Sequence, residues 1–305
     1  MRLVYFGSGP FGLPTLERLM RRHQIKLVIS QPDRPAGRKR KPQPTPVTRF
    51  ADDHQLAIVK PEEVNDDEVV ESIRSIEADA FVVIAFGQKL SRPLLKNTFA
   101  INLHASLLPK FRGAAPINWA VLNNEKQTGI SVITLADRMD AGEVLGRAST
   151  PIDPHETAGE LHDRLAIMGQ DVVLDTLERH QAGTLEPEMQ DENLATQAPK
   201  LSRADGIVNF DQPATEVRAR IHGLTPWPGC TVVLEGTALK LLRVREYETE
   251  HAGASPGEIL VDGSVACADG SVQLLSVQPA GGKTMTFAAY CNGHHVTPGM
   301  RISST

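Results

Sequence analysis

The sequence has 305 residues, of which 41% are hydrophobic and 23% are charged, so we expect a globular protein of two domains, each with its own core. Its 32 Lys and Arg against 37 Asp and Glu leave a formal net charge of −5, which excludes a uniformly basic coat for nucleic acid but allows a local basic patch. The sequence has no apolar run of roughly 18 residues and no signal-peptide pattern, so we expect a cytoplasmic protein without a membrane span. Its three cysteines lack C-x-x-C spacing, so we expect neither a disulfide framework nor a zinc cage.

Short apolar segments alternate with amphipathic segments through about residue 180. We predict strands at 2–7, 25–30, 56–59, 80–86 and 99–103, and a hairpin-like pair at 130–135 and 143–148. We predict helices at 13–22, 47–54, 65–77, 116–123 and 157–180. The run AFVVIAF from Ala80 lacks alternation, as is typical of a central parallel strand buried on both faces. The pattern predicts a doubly wound, Rossmann-like α/β domain with a mostly parallel sheet.

The second half of the chain has a different pattern. Residues 184–202 are polar and aperiodic and are interpreted as a linker. Short predicted strands separated by Gly-rich turns then follow, at 231–234, 239–244, 258–261, 265–268 and 272–277. We therefore predict a catalytic α/β domain over 1–183, the linker, and a small OB-like β-barrel domain over 203–305.

A glycine-rich turn follows the first predicted strand. Gly7-Ser-Gly9-Pro-Phe-Gly12 fits the dinucleotide pattern G-x-G-x-x-G, and Asp33 lies where a ribose-binding acid could stand. However, Pro10 removes a backbone N–H from the turn that would hold pyrophosphate, and Asp33 falls in a Pro-rich segment. A nicotinamide-dependent oxidoreductase therefore stays an alternative, and a tight strand-to-helix turn is the simpler interpretation.

The strongest candidate for chemistry is the segment from Asn102 to Pro109. Asn102 and His104 are two residues apart at the end of a predicted strand, so their side chains share a face at the sheet edge where ligands bind in open α/β folds. Ser106-Leu-Leu-Pro109 follows directly. Further along, Asp140 comes just before a glycine turn, a position that ordinary turn chemistry explains equally well.

This order of residues resembles the folate-dependent formyltransferase superfamily, whose pattern is Asn-x-His, then Ser-Leu-Leu-Pro, then an Asp before a glycine turn. The resemblance implies formyl transfer from 10-formyltetrahydrofolate without a metal or a nucleophilic cysteine. Asn102 and His104 are then expected to donate hydrogen bonds to the oxyanion, and Asp140 to accept the amine proton. The residues expected to line the folate pocket are Phe86, Gly87, Ser106, Leu107, Leu108 and Pro109.

Three further segments resemble the branch of this superfamily that formylates the methionine carried by initiator tRNA, for translation initiation. They are Gln31-Pro-Asp-Arg-Pro-Ala-Gly-Arg38, Arg112-Gly-Ala-Ala-Pro-Ile117 and the Arg220–Gly229 stretch RIHGLTPWPG. The resemblance runs nearly end to end and implies initiator methionyl-tRNA as partner, with no obligate protein partner. The alternatives are a sugar-nucleotide N-formyltransferase with the same folate chemistry and a non-catalytic tRNA-binding protein.

The segment 33–49 is strongly basic. It holds six basic residues against one acid, a net charge of +5, and its four prolines lead us to expect a mobile loop without regular helix or strand. The residues expected to contact tRNA phosphates are Arg34, Arg38, Lys39, Arg40 and Lys41. Arg38 matches the family's key arginine. By contrast, residues 204–305 hold seven Lys and Arg against ten acids, so any tRNA contact there requires its few cations to face one side: Arg218, Arg220, Lys240, Arg243 and Arg245.

Overall fold

The apolar run at Ala80–Ile84 forms a strand in which every residue is buried. A computed structural model describes this strand and its surroundings, over residues 1–36, 41–247 and 253–304. Burial on both faces leaves no room for polar residues between the apolar ones, which is why the run shows no alternation.

The described part of the chain folds into the following strands and helices. The strands of the first two hundred residues are β1 (Arg2–Gly7), β2 (Gln24–Ile29), β3 (Arg34–Ala36), β4 (Lys41–Gln43), β5 (Ile58–Val59), β6 (Ala80–Ile84), β7 (Phe99–His104), β8 (Arg112–Gly113), β9 (Gln127–Thr134), β10 (Val144–Pro151) and β11 (Gln197–Ala198). The helices there are α1 (Leu13–Arg22), α2 (Pro46–Asp53), α3 (Asp67–Arg74), α4 (Arg92–Leu95), α5 (Pro116–Leu122) and α6 (Ala158–Ala182). Later come α7 (Ala214–Gly223), β12 (Cys230–Leu234), β13 (Thr237–Tyr247), β14 (Val265–Ala266), β15 (Ser271–Pro279), β16 (Met285–Thr286), α8 (Phe287–His294) and β17 (Ile302–Ser304).

Seven strands form the sheet of the N-terminal half, in the order β10-β9-β7-β6-β1-β2-β5. The pairs from β5 through β7 are parallel, and β9 runs antiparallel to β7. Gly7 pairs with Ile84, and Val83 pairs with Asn102. The carboxyl ends of β1, β6 and β7 therefore lie side by side at one edge. The predicted doubly wound α/β fold with a mostly parallel sheet is confirmed.

The basic segment after β2 differs from its prediction. β3 and β4 pair antiparallel within it, with Pro35 opposite Pro42. The prolines do not prevent strand pairing here because each strand of a two-stranded ribbon has an unpaired edge, and opposite residues alternate between bonded and non-bonded pairs. The segment ends at α2, where the Thr45 hydroxyl accepts from the Thr48 N–H at 3.0 Å and meets the Ser30 hydroxyl at 2.6 Å.

The C-terminal sheet is antiparallel and nearly closed. Its main path is β14-β15-β13-β12-β17, and β16 pairs with β15. The strand predicted at 258–261 forms only isolated bridges, from Glu258 to Arg301 and from Ile259 to Val265. These bridges connect the two open edges of the sheet. The expected small barrel is present, and α7 and α8 are helices that the sequence did not predict.

The chain divides into two compact units that are not contiguous in sequence. One holds 1–112, 129–149 and 162–196, and the other holds 113–128, 150–161 and 197–305. Most of the expected linker, up to residue 196, therefore clusters with the first unit instead of standing apart. The predicted domain limits at 183 and 203 stay a prediction. None of the described helices combines the length and apolar character that a membrane crossing needs.

Candidate active site

The glycine turn after β1 is shaped by a buried tyrosine. A Cβ on Gly12 would lie 2.0 Å from the Tyr5 hydroxyl oxygen, and one on Gly7 would lie 2.6 Å from the Tyr5 ring. The Tyr5 hydroxyl also donates to the Gly12 carbonyl at 3.0 Å. The packing of Tyr5 thus accounts for two of the three glycines, and the dinucleotide interpretation loses its support.

The Asn102–His104 pair lies at the carboxyl end of β7, as predicted. His104 is only 6% exposed, and its Nε2 lies 2.9 Å from the Phe111 carbonyl oxygen. Because a carbonyl only accepts, Nε2 must carry a hydrogen. This nitrogen is therefore committed to the protein, and only the Nδ1 side of the ring can serve a substrate. In the described part of the chain, the half-buried Asn102 amide has no hydrogen-bond partner.

Asp140 reaches the same ring from the loop between β9 and β10. Its Oδ1 lies 3.6 Å from His104 Nδ1, and its side chain is 12% exposed. A proton on Nδ1 would make this an ion pair in a site nearly closed to water, where such contacts act strongly. The structure thus joins two of the residues that lie 36 positions apart in the sequence.

Three non-glycine residues close to this edge have a left-handed backbone. The φ angles are +54° at Asp140, +61° at Phe111 and +49° at Ala85. Each costs on the order of 1 kcal/mol or more relative to an ordinary conformation, and such residues concentrate at functional sites. Asp140 and Phe111 are also the residues that face the two nitrogens of His104.

The Ser106–Pro109 segment forms a tightly bonded turn. The fully buried Ser106 hydroxyl donates to the Lys110 carbonyl at 2.6 Å, and its own carbonyl accepts from the Ser131 hydroxyl at 2.8 Å. Leu108 is buried in a small apolar cluster with Ile133 and Val144. Ser106 and Leu108 therefore hold the turn together, while the half-buried Leu107 and Pro109 present its accessible surface.

The turn after β6 supplies accessible backbone beside β7. Phe86 is buried against Phe6, whereas Gly87 is exposed with a φ of +91°. The amide of Gln31, after β2, is the side chain nearest to a Cβ built on Gly87, at 3.9 Å. Among the described residues the Gln31 Nε2 is buried without a hydrogen-bond partner. A buried donor without an acceptor is costly, so this amide calls for a partner, and its position at the ligand edge makes a bound ligand a candidate.

Sequence reasoning missed two residues of this site, Gln31 and Gln190. Gln31 enters the sequence analysis only as the first residue of the family-like stretch 31–38, although it follows a parallel strand at the ligand edge. Gln190 lies in the expected linker, and its Nε2 donates to the Asp140 carbonyl at 2.8 Å. No local pattern marks a residue that meets its partner 50 positions away.

The predicted tRNA-binding residues are only partly described. Arg34 and Lys41 are exposed on β3 and β4, and Arg34 forms an ion pair with Glu62 at 2.8 Å. Arg38, Lys39 and Arg40 lie outside the described residues. The structure therefore places Arg34 and Lys41, on the two strands of this ribbon, after the carboxyl end of β2 in the chain.

The C-terminal cations are mostly committed to contacts within their own unit. Arg218 is buried and binds Glu246 at 2.6 Å and the Asn124 amide oxygen at 2.6 Å. Arg220, Lys240 and Arg243 donate to backbone carbonyls. These contacts do not support a shared tRNA-binding face for the five cations.

Neither the cysteines nor the acidic residues form a further reactive cluster in the described ranges. Burial raises the pKa of the Cys230 and Cys267 thiols to about 12, which keeps both protonated at neutral pH. Among the described residues, no group of three or more His, Cys, Asp and Glu side chains could hold a metal ion.

Both halves of the chain match family models, and they define its class. Residues 1–177 match the formyl transferase model, and residues 200–295 match the model of the formyl transferase C-terminal domain. The chain belongs to the formyl transferase family.

The chain is similar to curated methionyl-tRNA formyltransferases over nearly its whole length. The enzyme of Heliobacterium modesticaldum is 43% identical across 99% of this chain and 100% of its own length. That of Geobacter metallireducens is 39% identical across 99% of this chain and 98% of its own length.

Solved structures share the fold at lower identity. HypX from Aquifex aeolicus, in complex with tetrahydrofolic acid, has a TM-score of 0.63 at 17% identity over 95% of this chain and 47% of that longer chain. WlaRD, a sugar 3N-formyl transferase in the presence of dTDP and 5-N-formyl-THF, has a TM-score of 0.66 at 15% identity over 92% of this chain and 97% of that one. Identities this low establish the fold alone.

Proposed function

We propose that this chain transfers the formyl group of 10-formyltetrahydrofolate to the α-amino group of methionyl initiator tRNA, in the cytoplasm where translation initiates. The relatives at about 40% identity over nearly the full length support this substrate pair. The observation that carries the chemistry is the His104–Asp140 contact at 3.6 Å, with Asn102 on the same face of β7.

The reaction needs an oxyanion site and two proton movements. The amine nitrogen bonds to the formyl carbon, and the bond from that carbon to N10 of the folate breaks. The proton that leaves the amine balances the proton that N10 takes up, which the protonated Asp140 carboxyl returns directly or through water. The Asn102 amide and the Nδ1–H of His104 donate to the oxygen of the tetrahedral intermediate, and Asp140 accepts the amine proton directly or through water.

The commitment of His104 Nε2 to the Phe111 carbonyl changes the expected role of this ring. A histidine free at both nitrogens could rotate and present either one, whereas this ring presents only Nδ1. Asp140 faces that same nitrogen, so the donor to the oxyanion and the proton acceptor form one unit. Fixed donors cost no reorganisation during the reaction, which is the source of their catalytic effect.

The formyl donor fits the edge formed by the turns after β1, β2, β6 and β7. The buried Gln31 Nε2 offers a hydrogen to an acceptor on a ligand, and the exposed Gly87 allows a flat ring to approach the backbone. Leu107 and Pro109, which follow His104 in the chain, supply apolar surface. These groups support the proposed folate site, in which Phe86, Ser106 and Leu108 act from within the turns.

Direct assay of formyl transfer tests the proposal. The purified protein should formylate methionyl initiator tRNA, and elongator methionyl-tRNA should be a poor acceptor. Asn102→Ala, His104→Ala and Asp140→Asn should each lower kcat by about 10²-fold or more in a protein that is still folded, since each removes a group that acts on the transition state. Transfer to an amino-sugar nucleotide instead of tRNA would move the chain to the sugar N-formyltransferases, and near-normal turnover of a folded variant would remove that residue from the site.

We also propose that the basic segment 33–49 binds the phosphates of the tRNA acceptor stem and that Arg38 contacts the end of this stem. The family resemblance implies that this segment probes a weakened first base pair of initiator tRNA. Such a pair is cheaper to open, so the contact selects initiator tRNA without reading many bases. Arg34 and Lys41, exposed after the carboxyl end of β2 in the chain, support a tRNA path next to the catalytic edge.

Salt dependence tests this role. Arg38→Ala should weaken tRNA binding and reduce the slope of log affinity against log salt concentration by about 1, because one phosphate contact is lost. Folate affinity, measured by fluorescence quenching, should be unchanged. Lys26→Ala, at an exposed site in β2, is the control for loss of one positive charge. A variant that loses folate affinity while keeping its tRNA discrimination would assign the segment to the donor site.

A further inference from the structure

The loop that carries Asp140 depends on support from outside itself. Asp140 has a left-handed backbone conformation, which costs free energy in a non-glycine residue. The loop also passes close to β9, because a Cβ on Gly142 would lie 1.8 Å from the Thr134 carbonyl oxygen. Two carbonyls of the loop, at Asp140 and Gly142, accept hydrogen bonds from the Nε2 of Gln190, at 2.8 and 2.7 Å. One side chain amide thus bridges the loop on both sides of its turn.

The orientation of the Gln190 amide is determined by a buried arginine. Its Oε1 accepts from Arg112 Nε at 3.1 Å and from Arg112 Nη2 at 2.7 Å. A guanidinium has no acceptor, so the amide oxygen must face it and the amide NH₂ must face the two carbonyls. The rotated amide would place NH₂ against guanidinium and oxygen against carbonyl oxygen.

The arginine is in turn held by a carboxylate. The Arg112 side chain is 4% exposed and forms a bidentate pair with Glu192, at 3.0 and 3.1 Å. Hydrogen bonds from Arg112 and then from Arg138 lower the pKa of Glu192 to about 2. Glu192 is therefore charged throughout the neutral range, and a bidentate pair restricts the guanidinium in both position and plane.

The same short segment also supports His104. The hydroxyl of Thr196 accepts from the Phe111 N–H at 2.8 Å, and the Phe111 carbonyl accepts from His104 Nε2. Residues 190–196 thus contact the backbone of the Asp140 loop and the residue that binds His104. A spacer between domains has no need for contacts of this kind.

We propose that Gln190 is a positioning residue for catalysis: it sets the place of the Asp140 carboxylate against His104, and Arg112 orients Gln190. This inference rests on the formyl transfer proposed above and assigns to the expected linker a role in the reaction. Displacement of a catalytic group by about 1 Å costs roughly 10²-fold in rate, so the effect should appear in kcat.

A double-mutant cycle between Gln190 and Asp140 tests the proposal. Gln190→Met keeps the length of the side chain and removes its hydrogen bonds. It should lower the single-turnover rate of formyl transfer by about 10²-fold, with KM for the folate within about twofold. In the Asp140→Asn background the same substitution should have an effect of less than twofold, since Gln190 acts through the carboxylate that is already gone.

Each other outcome of the cycle has a definite meaning. A Gln190→Met rate within twofold of the parent, or the full loss repeated in the Asp140→Asn background, overturns the positioning role. If Asp140→Asn itself transfers formyl groups at the parent rate, both this proposal and the proposed role of Asp140 fail. If Asp140→Asn is slow and Gln190→Met is normal, only the positioning role fails.

Two further variants separate positioning from folding. Gln190→Glu keeps a charged oxygen for Arg112, which holds the side chain in place, but turns an oxygen instead of a donor toward the two carbonyls, so it should be at least as slow as Gln190→Met. It serves as the test if Gln190→Met does not fold. The matched control is Gln278→Met, because Gln278 also donates its amide to a backbone carbonyl, that of Gly282 at 3.1 Å, in an exposed turn. Its rate should equal that of the parent.

Discussion

Single side chains decide which residue types the turns of this fold accept. Tyr5 is fully buried in β1, and burial raises its pKa far above the ordinary value. Its hydroxyl satisfies its hydrogen bond on the Gly12 carbonyl, which brings the ring against the turn. A buried hydroxyl needs such a partner, and only glycine leaves space for it here.

Gly12→Ala tests this explanation of the glycine turn. The new Cβ would lie 2.0 Å from the Tyr5 hydroxyl and 3.1 Å from its next neighbours, on Ile84. We expect a loss of about 1–3 kcal/mol in the free energy of unfolding, measured in urea. In the Tyr5→Phe background the added cost of Gly12→Ala should be clearly smaller, because the clashing oxygen is absent. Equal costs in the two backgrounds would show that Tyr5 does not set the glycine requirement.

Helix α7 is attached to strand β13 by buried polar groups. His222 is fully buried, and its Nε2 accepts from the Val244 N–H at 3.1 Å. One helical turn earlier, Arg218 pairs with Glu246 of the same strand. Burial, together with the nearby Arg218 charge, lowers the pKa of His222 to about 4. The neutral form of this histidine is therefore part of how the barrel is built.

The depressed pKa of His222 predicts a loss of stability in acid. Its pKa falls from 6.5 in the unfolded chain to about 4 in the folded one, so the unfolded state binds the extra proton in between. The stabilising contribution is complete above pH 6.5 and is lost as the pH falls toward 4, at up to about 1.4 kcal/mol per pH unit.

Urea unfolding at pH 7 and pH 4.5 measures this contribution. His222→Gln can still accept from the Val244 N–H but has no proton to bind, so the parent should lose more stability than this variant between the two pH values, by about 2 kcal/mol. His295→Asn, at an exposed site in the same unit, controls for the removal of one histidine. The same pH dependence in parent and His222→Gln would show that His222 does not titrate on unfolding.

At the scale of the whole molecule, the C-terminal unit includes two segments, 113–128 and 150–161, that come before residue 183. α5 belongs to this unit: the Trp119 Nε1–H donates to the Pro199 carbonyl at 2.9 Å, and the Asn118 amide donates to the Gly223 carbonyl at 2.7 Å. Trp119 and Leu122 also pack against the apolar core of the barrel unit. A cut at residue 183 therefore divides a core and not a linker.

A chain ended at residue 183 tests this division. It should unfold without cooperativity and give the emission of a solvated tryptophan, because Trp119 loses the core against which it packs. The comparison is full-length Trp227→Phe, in which Trp119 is the one remaining tryptophan of the sequence. Cooperative unfolding of the shortened chain with shielded emission would support an independent domain over 1–183.

Local patterns were sufficient for most of the architecture. The unbroken apolar run at Ala80–Ile84 and the short strands after residue 230 depend on near neighbours, so periodicity predicted both sheets. The prediction of a strand at 258–261 is wrong, because this backbone forms single bridges to two different edges of the sheet, at Arg301 and at Val265. The prediction that the prolines exclude a strand is wrong, because Pro35 pairs opposite Pro42 and only the register of the two strands shows this.

The candidate site divides in the same way. Asn102 and His104 share a face because side chains alternate along a strand, which the order of residues alone settles. Three contacts complete the site: His104 Nε2 binds the Phe111 carbonyl, Asp140 lies 3.6 Å from Nδ1, and Gln190 holds the Asp140 loop. Each joins residues that no strand or helix period brings together. Such contacts depend on how packed elements and their loops fold back on each other, and no spacing of residues encodes them locally. The pattern of the sequence therefore established the sheets and the catalytic strand, whereas chain folding decided which nitrogen faces the substrate and which residues hold the carboxylate in place.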